Sequence, residues 1–453
     1  MAPRLTPLTV PVAISLTLVA HVLSAHVSTV LAQAPRPLTL DAAIGYALDN
    51  APALQGERLR TAFAKTQNDL ALSAWRPQLA IDASGQHFFQ QPVSIVPDFS
   101  NPESGETRVV TIGARNTSAL GATASQLLFS PEVLRDRRLR EPLVESAELA
   151  VAEIVRDLRA DVSVAFYETL RAVEALRLAE QDIARLERSL RDAELRSENG
   201  LDSKVPRLRA RIALNAARAR AERAAEALES RRAELAQLLG YEADAAALEP
   251  AYDFDVIRVG ATSTERPALL PSRRAEVRRL QADRAAQALR VDYARRSWWP
   301  TVSLSAGYDL NWQDNELAAL YGRTFRSSYG AFAARLPLYR GGARGHEIEL
   351  ARITETQLER RLQAVTNQIE AEYAVADNDL SAALAALEAA EANRELAREV
   401  YEVVRLQYRE GITPYLDVVI AENDLQAARN LTLDATVDAA IARVRLRRAA
   451  GTL

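Results

Sequence analysis

The chain has 453 residues, no Cys and a formal net charge of −4 at neutral pH. Without Cys there is no thiol chemistry and no Cys to carry a lipid anchor. Outside the N-terminal segment the only His are His87 and His346, which are far apart in sequence. We therefore expect no metal site and no cofactor. The slightly acidic charge balance gives no support for nucleic-acid binding.

Residues 1–34 are typical of a secretory signal peptide. An apolar stretch at 12–20 precedes the small-residue pattern Ala-Gln-Ala at 32–34, which fits a cleavage site. An uncleaved membrane anchor is the alternative interpretation. The uninterrupted apolar stretch is shorter than the roughly 20 residues that a spanning helix needs. We therefore predict an exported mature chain that has no transmembrane helix.

Helices and strands are predicted in the same order in both halves of the mature chain. In the first half, Thr39 is a candidate N-cap of a short helix, and a second helix begins at Pro52 and is stopped by Pro77. A strand follows, then a loop at 92–107 and a return strand near 108–129. The loop is rich in turn-forming residues, which favours a hairpin.

The second hairpin shows the clearest alternation of apolar and polar residues. Its return strand is predicted near 326–339, after a turn-rich loop at 314–325. Such alternation is typical of a strand with one face on a core or on lipid and the other face in water. The apolar face of the first strand consists of Val302, Leu304, Ala306, Tyr308, Leu310 and Trp312.

A helix of about 68 residues, or roughly 100 Å, is predicted after each hairpin, over 131–199 and about 343–410. Each is followed by a Gly turn and a helix of about 40 residues, whereas the helix before each hairpin has about 25. We therefore predict that each long helix lies antiparallel along two shorter helices stacked end to end. Heptad-like seams run through Leu176, Ala179, Ile183, Leu186, Leu190 and Ala193, and through Leu358, Leu362, Val365, Ile369 and Tyr373.

These patterns indicate an internal duplication. The segment 73–85 reappears as 297–307, with the same Trp and Pro at the start of the first strand. The Gly turns have the same spacing: 40 positions separate Gly200 from Gly240, and 40 separate Gly411 from Gly451. A duplicated unit of long helices and one hairpin is typical of an assembly component rather than of an enzyme.

Four predicted strands per chain are too few to close a membrane barrel. An open sheet edge cannot face lipid, and the smallest membrane barrels have about eight strands. If the apolar face at 302–312 meets lipid, other chains must supply the missing strands. The alternative is a small soluble four-stranded sheet that other parts of the protein cover.

All four Trp lie at the ends of the strand segments or within them, namely Trp75, Trp298, Trp299 and Trp312. Aromatic residues concentrate where a membrane barrel crosses the interface between lipid and water. Their general preference for strands is the alternative explanation. That preference does not account for Trp75 and Trp298, which end helices, so the aromatic residues favour the membrane interpretation.

No catalytic motif is present in the sequence. There is no G-x-S-x-G, Walker or Rossmann pattern. The carboxylates alternate with Arg at helical spacings, as in 187–198, which is typical of solvated helix faces with ion pairs. We therefore predict that the protein is not an enzyme; an enzyme with an unfamiliar site would be a third class.

Several short motifs follow one another in a characteristic order and spacing. They are Leu40-Asp41-Ala42-Ala43-Ile44, Ala47-Leu48-x-Asn50-x-Pro52, Pro77-Gln78-Leu79, Leu336-Pro337-Leu338-Tyr339 before Gly341-Gly342, Tyr408-x-x-Gly411 and Asp417-Val418-Val419. By this order and spacing the chain resembles the TolC family of outer-membrane efflux channels of Gram-negative bacteria, and the resemblance extends over nearly the whole mature chain.

The resemblance implies a mostly helical fold with membrane strands. Three chains with four strands each would form a twelve-stranded β-barrel, and their duplicated long helices would form a hollow α-barrel in the periplasm. Periplasmic helices are then expected at 35–77, 131–300 and 341–453, and membrane hairpins at 78–130 and 301–340. Substrates would pass from an inner-membrane transporter through the shared bore to the outside.

The resemblance also implies a docking site for a periplasmic adaptor protein at the two Gly turns. The residues concerned are Gly200 and Leu201 in the first copy, and Gly411 and Ile412 in the second. A Gly at the end of a helix is also common for purely conformational reasons, because the left-handed conformation is accessible to it.

The start of the last helix is the predicted periplasmic gate. We expect Thr413 as N-cap and Pro414 at the first helical position. By resemblance, Asp417 lines the narrow mouth; a first-turn Asp also complements the helix dipole, and the two roles are compatible. Some family members have a latch Arg where this chain has Thr413 and a second Asp where it has Ile420. Neither an Arg latch nor a double acidic ring is therefore expected.

The leading hypothesis is a passive trimeric export channel. Its mouth would open when the helices at its tip move apart, and a partner pump would supply the energy. The alternative is a secreted helical scaffold or adaptor-like protein with a small soluble sheet and no pore.

Overall fold

The computed structural model describes residues 38–97, 107–199, 203–241 and 248–453. The predicted signal peptide at 1–34 and the predicted adaptor contacts Gly200 and Leu201 lie outside these ranges. The helices are α1 (Leu40–Asn50), α2 (Pro52–Ser73), α3 (Pro131–Glu198), α4 (Lys204–Leu239), α5 (Phe254–Ala261), α6 (Ala275–Arg295), α7 (Ala343–Arg409) and α8 (Tyr415–Ala450). The strands are β1 (Gln78–His87), β2 (Val93–Pro97), β3 (Thr107–Thr111), β4 (Asn116–Phe129), β5 (Thr301–Asp314) and β6 (Phe325–Arg335), with short 3-10 helices at Pro271–Arg273 and Leu317–Gly322.

Local signals account for the first helices. The Thr39 hydroxyl accepts a hydrogen bond from the Ala42 N–H at 3.3 Å, so Thr39 is the N-cap of α1, as predicted. Pro52 begins α2, where its missing N–H removes no helical hydrogen bond. α2 ends at Ser73, shortly before Pro77 and the first strand.

Three helices end in the same Gly motif. Gly240, Gly411 and Gly451 have φ angles of 66°, 75° and 77°, in the left-handed region that favours Gly. In each case the residue after the Gly donates its N–H to a carbonyl in the last helical turn, which is the Schellman motif. Gly240 and Gly451 therefore end α4 and α8 in the same way, as expected for a duplicated unit.

The two long helices lie along pairs of shorter ones, as predicted. α3 and α7 contain 68 and 67 residues. α3 runs antiparallel to α2, where Asn68 donates to the Asp136 carbonyl, and to α4, where Arg218 pairs with Glu187. α7 contacts α6 and α8 in the equivalent way.

The shorter helices meet end to end with little space between them. A Cβ on Gly240 would lie 2.7 Å from the Asn50 carbonyl oxygen, in the break between α1 and α2. At the equivalent place in the second repeat, a Cβ on Gly451 would lie 2.7 Å from Cδ of Arg274, just before α6. Arg274 is 4% exposed, donates to the Ala449 carbonyl at the end of α8, and pairs with Glu276 at 2.7 Å.

The long helices form an open row. Next to the strands the order of contacts is α2–α3–α6–α7, and towards the other end it is α4–α3–α8–α7. α2 and α4 therefore occupy one edge of the row and α7 the other. Burial agrees with this order, because 19 of the 36 residues of α8 are buried but only 5 of the 67 residues of α7.

The predicted seams face the packed side of the long helices. In α3, Ala179, Leu186 and Ala193 are buried, and in α7 Ile369 is buried. Because the row is one helix thick, the core consists of several small clusters along its length rather than one large core. None of the helices in the described ranges is long and apolar enough to cross a membrane.

Four strands form one antiparallel sheet in the order β1-β4-β5-β6. The two hairpins are thus joined by pairing of β4 with β5, from Asn116 opposite Asp314 to Phe129 opposite Val302. β1 and β6 are the edges of this sheet. Since β1 follows α2 and β6 precedes α7, the edges of the sheet continue into the edges of the helix row.

The loops between the strands differ from the prediction. The return strand expected near 108–129 is divided at Gly113, which has a φ of 83°. Its first part, β3, forms a separate two-stranded sheet with β2, which lies in the segment predicted as a loop. The second return strand ends at Arg335, before Pro337, so its predicted end near 339 is wrong.

Candidate channel wall and periplasmic mouth

One face of the four-stranded sheet is apolar and exposed. In β5, Leu304 and Tyr308 are 48% and 47% exposed, whereas Gly307 on the opposite face is buried. Residues that are directly paired on neighbouring strands share a face of the sheet. Phe332 is paired with Leu304, and Ile81 is paired with Ala122, which is itself paired with Tyr308. Phe332 and Ile81 therefore extend the apolar surface. A continuous apolar surface of this kind indicates contact with lipid or another protein.

Both edges of the sheet are open. All ten residues of β1 and ten of the eleven residues of β6 are exposed. Unpaired N–H and C=O groups along an exposed edge are ready to pair with another strand. In contact with lipid such an edge is highly unfavourable, because no water can satisfy these groups.

The aromatic residues mark the two ends of β5. Trp299 packs on Phe129 with 6.1 Å between ring centroids, and Trp312 packs on Tyr321 at 5.5 Å. The Trp312 indole N–H also donates to the Thr324 hydroxyl at 3.0 Å. Trp75 and Trp298 lie in the turns that lead from α2 and α6 to the strands and are 40% and 50% exposed. The placement of these Trp at the membrane interface stays a prediction.

The helix row also exposes apolar residues at both edges. The α7 edge carries Leu396, Val400, Val403 and Leu406, which are 48–61% exposed. The opposite edge carries Leu59, Phe63 and Leu70 on α2 and Val205, Leu208 and Ile212 on α4, which are 52–70% exposed. Apolar side chains are thus exposed at both edges of the open row, although soluble helices normally bury such residues.

The predicted gate begins at the Gly turn between α7 and α8. A Cβ added at Gly411 would meet no other described atom within 4 Å, and Ile412 is 71% exposed. Asp417 lies in the first turn of α8, as predicted, and is half-buried. Its backbone N–H donates to the Pro414 carbonyl at 3.1 Å, so its carboxylate lies next to the positive end of the helix.

The predicted N-cap of α8 is wrong. The helix begins at Tyr415 with Pro414 as the capping residue, and no side chain accepts from the first turn. The buried hydroxyl oxygen of Thr413 has no hydrogen-bond partner within the described ranges. Thr413 lies two residues after the left-handed Gly411, and this turn directs the chain so that Pro414, with its fixed φ, takes the capping position.

Tyr415 joins the start of α8 to the neighbouring long helices. It is 6% exposed, and its hydroxyl lies 3.0 Å from the Ser189 hydroxyl of α3. Its ring packs on Tyr408 with 5.5 Å between centroids, and the Arg196 guanidinium lies 4.9 Å from the Tyr408 ring. The mouth region is therefore tied to α3 and α7 through aromatic and polar contacts.

A buried charge cluster lies further along α8, and the sequence-based interpretation of charged residues as solvated faces missed it. Asp182 and Glu422 are 3% and 4% exposed, and Arg185 donates to Asp182 at 2.8 Å. Burial raises the pKa of Asp182 above its usual value despite Arg185. Burial, together with the Asp182 charge, likewise raises the pKa of Glu422.

A signal for this cluster was present in the heptad pattern. Asp182 lies between the seam residues Ala179 and Leu186, at spacings of three and four residues. Glu422 lies between Val418 and Leu425 on α8, at spacings of four and three residues. A charged residue at a seam position is buried when the partner helix covers it. The described ranges contain no group of three or more potential metal ligands.

Comparison with known proteins agrees with this architecture. The sequence matches the outer membrane efflux protein family over residues 43–241 and 267–452. The chain belongs to the outer membrane efflux protein family. Among curated proteins it is 28% identical over 402 residues to protein CyaE of Bordetella pertussis, covering 86% of this chain and 79% of that protein.

Solved structures of outer-membrane proteins share the fold. The chain superposes on CusC with a TM-score of 0.70 at 20% identity, covering 90% of this chain and 91% of CusC. It superposes on VceC of Vibrio cholerae with a TM-score of 0.68 at 19% identity, covering 91% of this chain and 96% of VceC. The predicted family resemblance and the mostly helical fold with strands are therefore confirmed.

Family membership also determines the location of the protein. The chain is an outer-membrane efflux protein of a Gram-negative bacterium, with its helices in the periplasm. This result favours the predicted channel over a secreted scaffold without a pore. It does not by itself assign roles to Asp417, Thr413, Gly411 or Ile412, which stay predictions.

Proposed function

We propose that three copies of this chain form one closed export channel. The observation that carries the proposal is the four-stranded sheet, which has an exposed apolar face and two open edges in a protein of the outer membrane. Pairing of β6 of one copy with β1 of the next removes every edge once the ring closes. Three copies then supply twelve strands, which is within the size range of membrane barrels.

The helix row supports the same arrangement. The α7 edge of one copy faces the α2 and α4 edge of the next when β6 pairs with β1, because each helix edge continues a strand edge. Contact between these edges would bury the exposed apolar residues on both. Such a head-to-tail interface joins two different surfaces. It forms a closed ring when the rotation that relates one copy to the next returns to the first copy after a whole number of copies.

The channel has no chemistry of its own in this proposal. Solute diffuses through an aqueous bore, and an inner-membrane transporter supplies the energy. A periplasmic adaptor contacts the exposed tip at Gly411 and Ile412, together with Gly200 and Leu201 outside the described residues. Asp417 from each copy contributes negative charge to the narrow mouth, which opens when the turns between α7 and α8 move apart.

Disulfide cross-linking tests the ring, and the chain contains no Cys that would interfere. With Ala80→Cys in β1, single Cys substitutions along β6 from Ser327 to Ala333 should give oxidised dimers and trimers at one register. The control pair, Ala83→Cys with Leu120→Cys, joins residues that face each other within one copy and should give monomers only. A membrane-extracted protein that stays monomeric at every β6 position would contradict the proposal.

Conductance tests the bore and the mouth. The purified protein should conduct ions across a planar bilayer, and multivalent cations added on the periplasmic side should block it. Asp417→Ala should weaken this block, whereas Asp424→Ala, an exposed site further along α8, should leave it unchanged. Equal block in both variants would contradict the placement of Asp417 at the mouth but not the channel itself. Absence of conductance would contradict the channel.

A further inference from the structure

A groove rich in arginine lies between α3 and α7, above the first two turns of α8. Its volume is about 600 Å³. Six arginines line it, and we call it the arginine groove: Arg185, Arg188, Arg191, Arg196, Arg405 and Arg409. Among the described residues, two carboxylates, Asp192 and Glu422, line the same groove, so these residues carry an excess of positive charge.

Several of these arginines have no ion-pair partner in the part of the chain that the structure describes. Within the described ranges, no carboxylate lies within ion-pair distance of Arg191, Arg405 or Arg409. Arg405 influences Glu422 only at longer range. Guanidinium groups gathered in one concave place repel each other, and this repulsion is relieved when an anion lies among them.

Arg185 provides unused hydrogen-bond donors at the base of the groove. Its side chain is 14% exposed, and one N–H donates to Asp182 at 2.8 Å. Its guanidinium also lies 5.8 Å from the ring centroid of Tyr401. The Nε and Nη1 groups are buried and have no acceptor in the described part of the chain. Buried donors without partners are unfavourable, and reorientation of the Arg185 guanidinium towards an oxyanion in the groove would give them acceptors.

Two acidic residues of the same helices pair with arginines outside the groove. Glu187 on α3 pairs with Arg218 of α4 at 3.1 Å, outside the groove. Glu402 on α7 lies 3.7 Å from Arg398, which does not line the groove. An ordinary solvated helix face intersperses its ion pairs, whereas here Arg191, Arg405 and Arg409 line the groove without a carboxylate at ion-pair distance in the described ranges.

The groove stays accessible when the channel assembles. At about 100° per residue, the groove-lining residues Tyr401, Arg405 and Tyr408 fall on one side of α7. The α7 edge, with its exposed apolar residues, falls on the far side. Contact of that edge with a neighbouring copy therefore does not cover the arginine groove.

We propose that the arginine groove binds a compact solute with two or more oxyanion groups, either phosphates or carboxylates. Guanidinium groups bind both kinds of group through paired, charge-assisted hydrogen bonds. Tyr401, whose hydroxyl hydrogen-bonds to Glu422, and Tyr408 also line the groove beside the arginines. A bound anion would hold α3 and α7 together beside the start of α8.

Titration of the purified full-length protein in detergent tests the site. Inorganic pyrophosphate and citrate are the two probes, each at constant ionic strength set with chloride, and isothermal calorimetry is the readout. We expect saturable binding of at least one probe; the stronger probe identifies the phosphate or the carboxylate class. The double variant Arg191→Gln with Arg405→Gln should weaken binding of that probe at least about tenfold, since each charge-assisted hydrogen bond contributes on the order of that factor.

The matched control removes the same charge elsewhere. Arg352→Gln with Arg361→Gln lies on exposed positions of α7, more than about 60 Å along the helix from Arg405, and should bind like the unmodified protein. Equal weakening in both pairs would show general charge attraction and overturn the proposal, as would no saturable binding by the unmodified protein. If the first pair fails to assemble, Arg409→Gln alone provides the same comparison.

Discussion

Gly240→Ala should destabilise the protein more than the same change at another left-handed Gly. The φ of 66° at Gly240 makes an Ala unfavourable by about 1–2 kcal/mol in itself. The added methyl group would also lie 2.7 Å from the Asn50 carbonyl oxygen and 3.0 Å from Cδ of Pro52. Neither atom belongs to a flexible side chain, so relief requires a backbone shift, which adds about 1–3 kcal/mol.

Gly411→Ala is the matched control, because Gly411 ends α7 in the same motif with a φ of 75° but has open space around its Cβ position. It should show the conformational effect alone, about 1–2 kcal/mol. Urea unfolding in detergent, followed by far-ultraviolet circular dichroism, measures the difference between the two variants. If Gly411→Ala lowers the free energy of unfolding as much as Gly240→Ala, the close end-to-end packing of α4 against the α1–α2 break is wrong.

Three further changes probe other parts of the structure. Burial acts to raise the pKa of Glu276, but hydrogen bonds from Arg274 and Arg156 outweigh it and lower the pKa to about 2. The resulting stabilisation, about 3 kcal/mol, is present above pH ~4.5 and lost towards pH 2, so Glu276→Gln should be destabilising at neutral pH and nearly harmless in acid. Leu304→Arg should impair insertion into the outer membrane, because a lipid-facing Arg is unfavourable by about 2–4 kcal/mol. Asn116→Ala should destabilise by about 1–3 kcal/mol, because its amide donates to the Asp314 and Asn315 carbonyls at the end of the sheet.

Each of these has a measurement that would contradict it. A constant stability difference between Glu276→Gln and the unmodified protein from pH 7 to pH 2 would contradict the lowered pKa. Ser305→Arg, on the opposite face of β5, is the control for Leu304→Arg; equal loss of heat-resistant protein from the outer-membrane fraction would contradict the assignment of the faces. An unchanged urea midpoint for Asn116→Ala would show that these hydrogen bonds contribute nothing measurable.

The local pattern of the sequence predicted most of the architecture. The 3.6-residue and two-residue periods placed the long helices and the main strands, and Thr39, Pro52 and the Gly turns marked helix ends. These features depend on neighbouring residues within a few positions, so the sequence contains them directly. The duplication then predicted which short helices lie along which long helix, because both repeats have the same order of long and short helices.

Prediction from the sequence failed where local backbone geometry or a partner distant in sequence determines the structure. Pro414 rather than Thr413 caps α8, because the left-handed Gly411 sets the direction in which the chain enters the helix. β2 and β3, which precede Gly113 in the chain, form their own small sheet in a segment with strong turn signals. Turn composition indicates where a chain reverses but not whether the flanking residues pair.

The sequence by itself determined the elements of this protein, their lengths, the apolar face of the sheet and the repeat that relates its halves. Only the tertiary structure decided that β4 pairs with β5, which leaves β1 and β6 as edges, and that Asp182 and Glu422 are buried together. The physical reason is that periodicity records the face that each element buries, whereas burial of a particular charge depends on which helix of the other repeat lies against it. The arginine groove is likewise a feature that only the tertiary structure decided, since its walls come from α3 of one repeat and α7 of the other.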